Sequence, residues 1–362
     1  MTYDAILLLG FGGPESLDEV RPFLERVTAG RGIPPERLDE VGQHYVALGG
    51  VSPINEQNRA LRAALEAGLV ATGDHTPVVL ANRNSAPFIP DVVAELAASG
   101  AHRVLALATS AYSSYSSCRQ YRENVGVALA DHPDLDVDVV KVPPFPEFPW
   151  FAATTGELLA PVLAEPGRRP YVLFTTHSIP SSMARTSGPE SQWPAPGSDQ
   201  PGAYVAQHLA VARAALDVAV RRAGVEMPEW QLVYQSRSGS PAIPWLEPDI
   251  NDAMTALAAG GVSDFVLVPI GFLSDHVEVI WDLDHEAAET ARELGVRMTR
   301  VPTVGTHPAM VDGLVTLLRS HLTAESPRAP LDGERCAGNC CPAPQRPGAP
   351  TVTRPVVQGV YL

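Results

Sequence analysis

Lysine is nearly missing from this chain. Lys141 is the only one, and the arginines are scattered along the sequence. No run of positive charge is present, and the formal net charge is −15 at pH 7. Such a chain lacks the basic patch that grips nucleic-acid phosphates or an anionic lipid surface. A cationic substrate, by contrast, is favoured near it. Also lacking is any apolar run of about 18 residues, the length that suggests a membrane-spanning helix. The N-terminal MTYDAILLLGFGGP has an acid where a secretory signal has basic residues, and it turns at Gly10. It reads as a first β-strand and not as a signal. These absences point to a cytoplasmic protein with no membrane anchor and no nucleic-acid partner. No long apolar surface helix is left over, which points to a monomer. Cysteine is scarce too, with four in the chain. In the cytoplasm such cysteines serve as metal ligands or reactive groups rather than disulfides.

What is present is a globular composition, 45% hydrophobic over 362 residues. That length suits two domains better than one. Short apolar runs alternate with amphipathic stretches. Strands are expected at 5–11, 76–82, 103–109, 137–143, 171–177, 230–236, 264–270 and 297–303. Helices are expected at 17–27, 55–71, 90–98, 204–223, 250–259 and 278–294. This alternation predicts an α/β fold of two doubly wound, Rossmann-like lobes, each with a parallel four-stranded sheet. The expected division is 1–160 and 161–322, with PPFPEFPW and EPGRRP as a proline-rich connector near 144–170. Residues 323–362 are proline-rich and aperiodic, and read as an extension. In such sheets ligands bind beyond the carboxyl ends of the strands. The Gly/Ser/Pro-rich segments LLLGFGGP, LATSAYSSYSSC, LFTTHSIP, VYQSRSGSP and VPIGFLSDH all fall there.

GFGGPE lacks the third glycine of a dinucleotide fingerprint, because Glu15 stands in its place. A tight strand-to-helix turn explains its glycines. The next helix carries a candidate capping box, Ser16 with Glu19. His177, in TTHSIP, ends a strand, where an imidazole serves as acid–base group, ligand or structural residue. SDHVEVIWDLDHE places Glu278, Asp282 and Glu286 four residues apart. On an ordinary α-helix they span about 80°, opposite the apolar residues. That pattern alone reads as a solvated face, with Glu278 closing a capping box on Asp275. Cys336, Cys340 and Cys341 cluster in CAGNCC, and Cys118 opens a helix in YSSYSSCRQY. Four thiolates hold zinc or an iron–sulfur cluster. Adjacent cysteines are unusual in zinc knuckles and fit a two-iron cluster better.

Together LLLGFGGPESLDEV, YVALGGVSPINEQ, TTHSIP, QSRSGSPAIPWLEP and GFLSDHVEVIWDLDHE resemble the ferrochelatases, over residues 4–320. The resemblance implies two lobes with a porphyrin cleft between them, and ferrous iron inserted into the porphyrin. It implies His177 and Glu278 as the pair facing the macrocycle, for iron coordination and proton removal. Asp282 and Glu286 then form an outer acidic ladder, on a helix locally widened into π-type turns that bring it inward. Ser52, Tyr121 and Phe11 match porphyrin-contacting positions, and phenylalanine at position 11 excludes an axial phenolate. Thr28 and Ala29 stand where relatives have two arginines. The actinobacterial branch is most similar, which implies coproporphyrin III as substrate and a [2Fe–2S] cluster on Cys118, Cys336, Cys340 and Cys341. Protoporphyrin IX, a cobalt or nickel chelatase, and a non-catalytic porphyrin-binding redox sensor remain the alternatives.

Overall fold

β1 (Ala5–Gly10) is buried along its whole length, as expected of a central strand covered on both faces. Its residues alternate between two cores. Ile6 and Leu8 meet Leu61, Leu65 and Leu69 on one side. Leu7 and Leu9 meet Val92, Val93 and Val125 on the other. This period of two assigns one helix layer to each face. The computed structural model describes residues 3–30, 32–238, 242–323 and 339–343, and the backbone of 360–361.

All eight expected strands are present. β1 is followed by β2 (Val78–Asn82), β3 (Arg103–Ala108) and β4 (Asp138–Lys141). The second set is β5 (Tyr171–His177), β6 (Trp230–Gln235), β7 (Asp264–Val268) and β8 (Arg297–Arg300). The sheets run β2-β1-β3-β4 and β6-β5-β7-β8. All pairings are parallel. A two-residue strand β9 (Val360–Tyr361) adds to the edge of the first sheet beside β4. Among the described residues, no helix is long and apolar enough to cross a membrane.

Among the described residues, four α-helices lie outside the expected set: Pro35–Ala47, Pro149–Leu163, the short Ser181–Arg185 and Pro308–Leu322. Pro149–Leu163 corrects the proline-rich connector. Pro149 falls in the first turn, where a missing N–H costs nothing, and Pro161 falls near the end. This helix is a shared wall. Phe151 packs in the first-lobe core and Leu159 and Leu163 in the second. Pro308–Leu322 returns to the first lobe. A Cβ on Gly68 would stand 2.7 Å from Val315, so the two helices touch closely.

Neither expected capping box forms. Ser16 makes no side-chain cap, and Glu19 accepts instead from the Glu15 N–H at 2.9 Å. The later helix is capped by His276 without a side-chain bond. Asp275 is held by Arg300 at 3.0 and 3.2 Å. A guanidinium fork binds a carboxylate more strongly than one peptide N–H does.

Candidate active site

Each sheet reverses its winding at one point, between β1 and β3 in the first and between β5 and β7 in the second. The crevice beyond the carboxyl ends of such strands is the usual ligand site. His177 is the last residue of β5, and β7 leads through the loop after Val268 to Glu278. Their side chains are 32% and 39% exposed, and His177 Nε2 stands 3.9 Å from Glu278 Oε2. That is too long for a hydrogen bond but close enough for strong electrostatic coupling. His177 Nδ1 lies 2.5 Å from the Ser178 carbonyl. A carbonyl only accepts, so Nδ1 carries a proton, and in the neutral form of the ring the lone pair lies on Nε2, toward Glu278.

The imidazole is braced from behind. The Tyr204 hydroxyl donates to the His177 carbonyl at 2.9 Å and lies 2.9 Å from Thr176 Oγ1. Thr176 also meets His208 Nε2 at 2.9 Å. His208 is fully buried, and burial pushes it down to about 3, so it stays neutral. His276 is nearby as well. Burial, and then the neighbouring His177, push it down to about 4.

The acidic ladder differs from the ordinary helical wheel. Residues Trp281–Glu286 form a π-helix, and the Ala287 N–H reaches Asp282 O, five residues back. The wider turn keeps every fourth residue nearer to one line. Asp282 is thereby half-buried, accepting from Gln235 Nε2 at 3.2 Å and from the Ser236 hydroxyl. Ser236 has a φ of 60°, sparsely populated for a residue with a Cβ. Burial first, then the charge of Glu278, push Asp282 up to about 7. The wheel holds for Glu286, which is exposed and accepts from Trp281 Nε1 at 2.8 Å. Trp281 is stacked between His44 at 4.1 Å and His285 at 4.2 Å.

The first lobe closes over this helix. Val277 is buried among Val20, Phe23, Leu24 and Tyr45, with Phe11 packed against the same group. The Asp275 N–H donates to Gln57 across the lobes at 2.9 Å. Burial, then the charge of Glu278, hold the Tyr45 phenol well above its ordinary range. The remaining first-lobe candidates are Ser52 and Tyr121. Ser52 is buried beneath Gly13, where an added Cβ would come within 2.5 Å of it. Tyr121 is buried in the core, and Arg83 lies over its ring at 4.7 Å and over Phe11 at 4.8 Å. A cavity of about 650 Å³ opens elsewhere, lined by Pro146, Phe148, Gln192, Gln207 and Val211 among others. It touches neither His177 nor Glu278.

Three of the four cysteines are described, and all three are buried: Cys118, Cys340 and Cys341. Cys336 lies outside the described residues. Arg119 donates to the Cys340 carbonyl at 3.2 Å, which ties the tail to the helix that begins around Cys118. Gly188 of the second lobe donates to Cys341 Sγ and accepts from its N–H, both at 3.1 Å. Among the described residues, no group of three or more His, Cys, Asp or Glu is arranged to hold a metal ion.

Two parallel lobes of one strand order, with an imidazole and a carboxylate at one switch point, make this a two-lobed α/β protein of chelatase type. A solved multi-domain protein from Deinococcus radiodurans, described as structurally similar to chelatases, shares the fold. Its TM-score is 0.51 at 13% identity, covering 89% of this chain and 56% of that one. The ferrochelatase family model matches residues 3–322. The coproporphyrin III ferrochelatase of Propionibacterium freudenreichii is 46% identical over 97% of both chains. That of Streptomyces coelicolor is 51% identical over 84% of this chain and 82% of its own. The chain belongs to the ferrochelatase family.

Proposed function

We propose that this protein inserts ferrous iron into coproporphyrin III in the cytoplasm, releasing two protons. The observation that carries this reading is the His177–Glu278 pair at the second switch point, with the imidazole lone pair on Nε2. Full-length similarity to coproporphyrin III ferrochelatases supports the choice of porphyrin.

Insertion replaces two pyrrole N–H protons with one Fe²⁺. His177 Nε2 accepts one proton from the ring and the Glu278 carboxylate accepts the other, and Glu278 is also the group that meets the incoming metal. Carboxylate and imidazole suit a ferrous ion that must be passed on rather than trapped. Asp282, pushed up to about 7, both takes and gives a proton near neutrality. Glu286 is the exposed outer end of this path. Phe11, Ser52 and Tyr121 form the first-lobe side of the porphyrin site, with Arg83 linking the two rings.

Cys340 and Cys341 are spaced as two thiolates of one metal centre would be. Cys340 Sγ and Cys341 Sγ are 3.8 Å apart, far beyond the bond length of a disulfide. Two thiolates at about 2.3 Å from one tetrahedral metal ion lie about 3.8 Å apart. Cys118, Cys340 and Cys341, with Cys336, would hold a [2Fe–2S] cluster. Such a cluster supplies a one-electron redox centre and a cross-link between the tail and both lobes.

The deciding experiment is anaerobic Fe²⁺ insertion with coproporphyrin III and protoporphyrin IX offered side by side. Faster turnover of coproporphyrin is expected. Preference for protoporphyrin would overturn the substrate, and tight porphyrin binding without insertion would overturn the enzyme.

A further inference from the structure

The one lysine of the chain occupies a buried position. Lys141 ends β4 and is 4% exposed. Its Nζ donates to the Val142 carbonyl at 2.9 Å and to Cys118 Sγ at 3.4 Å. Among the described residues, no carboxylate forms an ion pair with it. Arg119, next to Cys118 in the chain, has its own partner in Glu123 at 2.9 Å. A buried ammonium without a counter-charge is strongly unfavourable. The group facing Lys141 is a sulfur. A neutral thiol is a weak acceptor and brings no charge. A thiolate within an iron–sulfur centre brings both acceptor and charge.

We propose that Lys141 is the counter-charge of the cysteine-bound cluster, holding Cys118 as an anionic ligand and raising the cluster's reduction potential. The inference rests on the [2Fe–2S] reading of the cysteines. A [2Fe–2S] core with four thiolates carries an overall charge of −2 oxidised and −3 after uptake of one electron. A fixed positive charge stabilises the −3 state more than the −2 state, and an N–H···S bond acts in the same direction. Lysine suits this place because its charge is compact and carried on a narrow stem. The pairing of β4 with β3, Lys141 opposite Ala106, anchors the backbone.

The test is an anaerobic redox titration of the full-length holoprotein with dithionite as electron donor, followed by visible absorption. Wild type is compared with Lys141→Met, Lys141→Gln and Lys141→Arg. Reduction of Lys141→Met should be at least about tenfold less favourable, a midpoint about 59 mV more negative for one electron. Lys141→Arg should lie nearer to wild type. If Met and Gln lose the cluster while Arg keeps it, with iron insertion retained in all three, the counter-charge role is also supported. An intact cluster with unchanged potential in Lys141→Met overturns the inference alone. Loss of the cluster in all three variants assigns Lys141 to packing and overturns it too. Wild-type protein with no iron, sulfide or cluster spectrum overturns the [2Fe–2S] reading and this inference with it.

Discussion

The two lobes share one strand order, and in each the third strand leads into a π turn, Tyr115–Arg119 in the first and Trp281–Glu286 in the second. Their switch points nevertheless differ. In the first, the turn after β1 is filled by its own protein. Gly13 N–H lies 3.2 Å from Asn55 Oδ1 and 3.1 Å from Ser85 Oγ, and Asn55 Nδ2 returns a bond to the Gly13 carbonyl. In the second, the end of β5 presents an imidazole and the helix after β7 presents a carboxylate, both partly exposed. Topology places a crevice at both points, and the side chains at the strand tips decide which one is filled. In the proposed reaction the chemistry falls to the second lobe, and the first supplies a wall.

The largest break in this contrast is His177→Ala. It should lower iron insertion by about 10²–10⁴-fold, the usual contribution of a positioned acid–base group. Porphyrin binding, followed by fluorescence quenching, should persist, and normal turnover would remove His177 from the chemistry. Gly12→Ala tests the filled point. Gly12 has a φ of 80°, and an added Cβ would lie 2.4 Å from Ser85 Oγ. A loss of about 1–3 kcal/mol is expected in denaturant unfolding, and an unchanged midpoint would show that the turn has slack.

Asp282→Asn sharpens the contrast by pH. Asp282 sits at about 7 in the folded protein, against an ordinary value of about 3.9. Between those values the folded state holds a proton that the unfolded state releases, so stability falls as pH rises through this window. The variant has no such term. Its stability relative to wild type should rise by on the order of 1–3 kcal/mol between pH 4 and pH 8, read by thermal melts across the range. A flat difference would mean that Asp282 ionises normally. The smallest effect belongs to Glu286→Gln. Its side chain is exposed, and Gln still accepts from Trp281. Insertion should change by less than about threefold, and a large loss would make the outer ladder essential.

Strands were the most legible elements because buried parallel strands are written as short apolar runs. The missed helices had contrary local signals. Pro149–Leu163 begins in a proline-rich run, and only its packing against both cores makes it a shared helix. In the site, His177 stood out at a strand tip before a Ser-Ile-Pro turn. Ser236 lies in a loop that also stood out, yet nothing local ties it to Asp282. Tyr204 and His208 read as ordinary positions on an amphipathic helix, and their support of β5 exists only in three dimensions.

By itself the sequence determined the eight strands, the parallel α/β class, the glycine turn after β1 and His177 at the end of β5. Each depends on hydrophobic periodicity or on residues adjacent in the chain, and such signals survive without tertiary context. Only the tertiary structure decided which acids face inward, because one π turn rotates Asp282 relative to an ordinary helix. It also decided that Glu278 meets His177, that the tail reaches both lobes, and that the single lysine points at Cys118. Those contacts join residues far apart in the chain, and their geometry is set by how the sheets and helices pack.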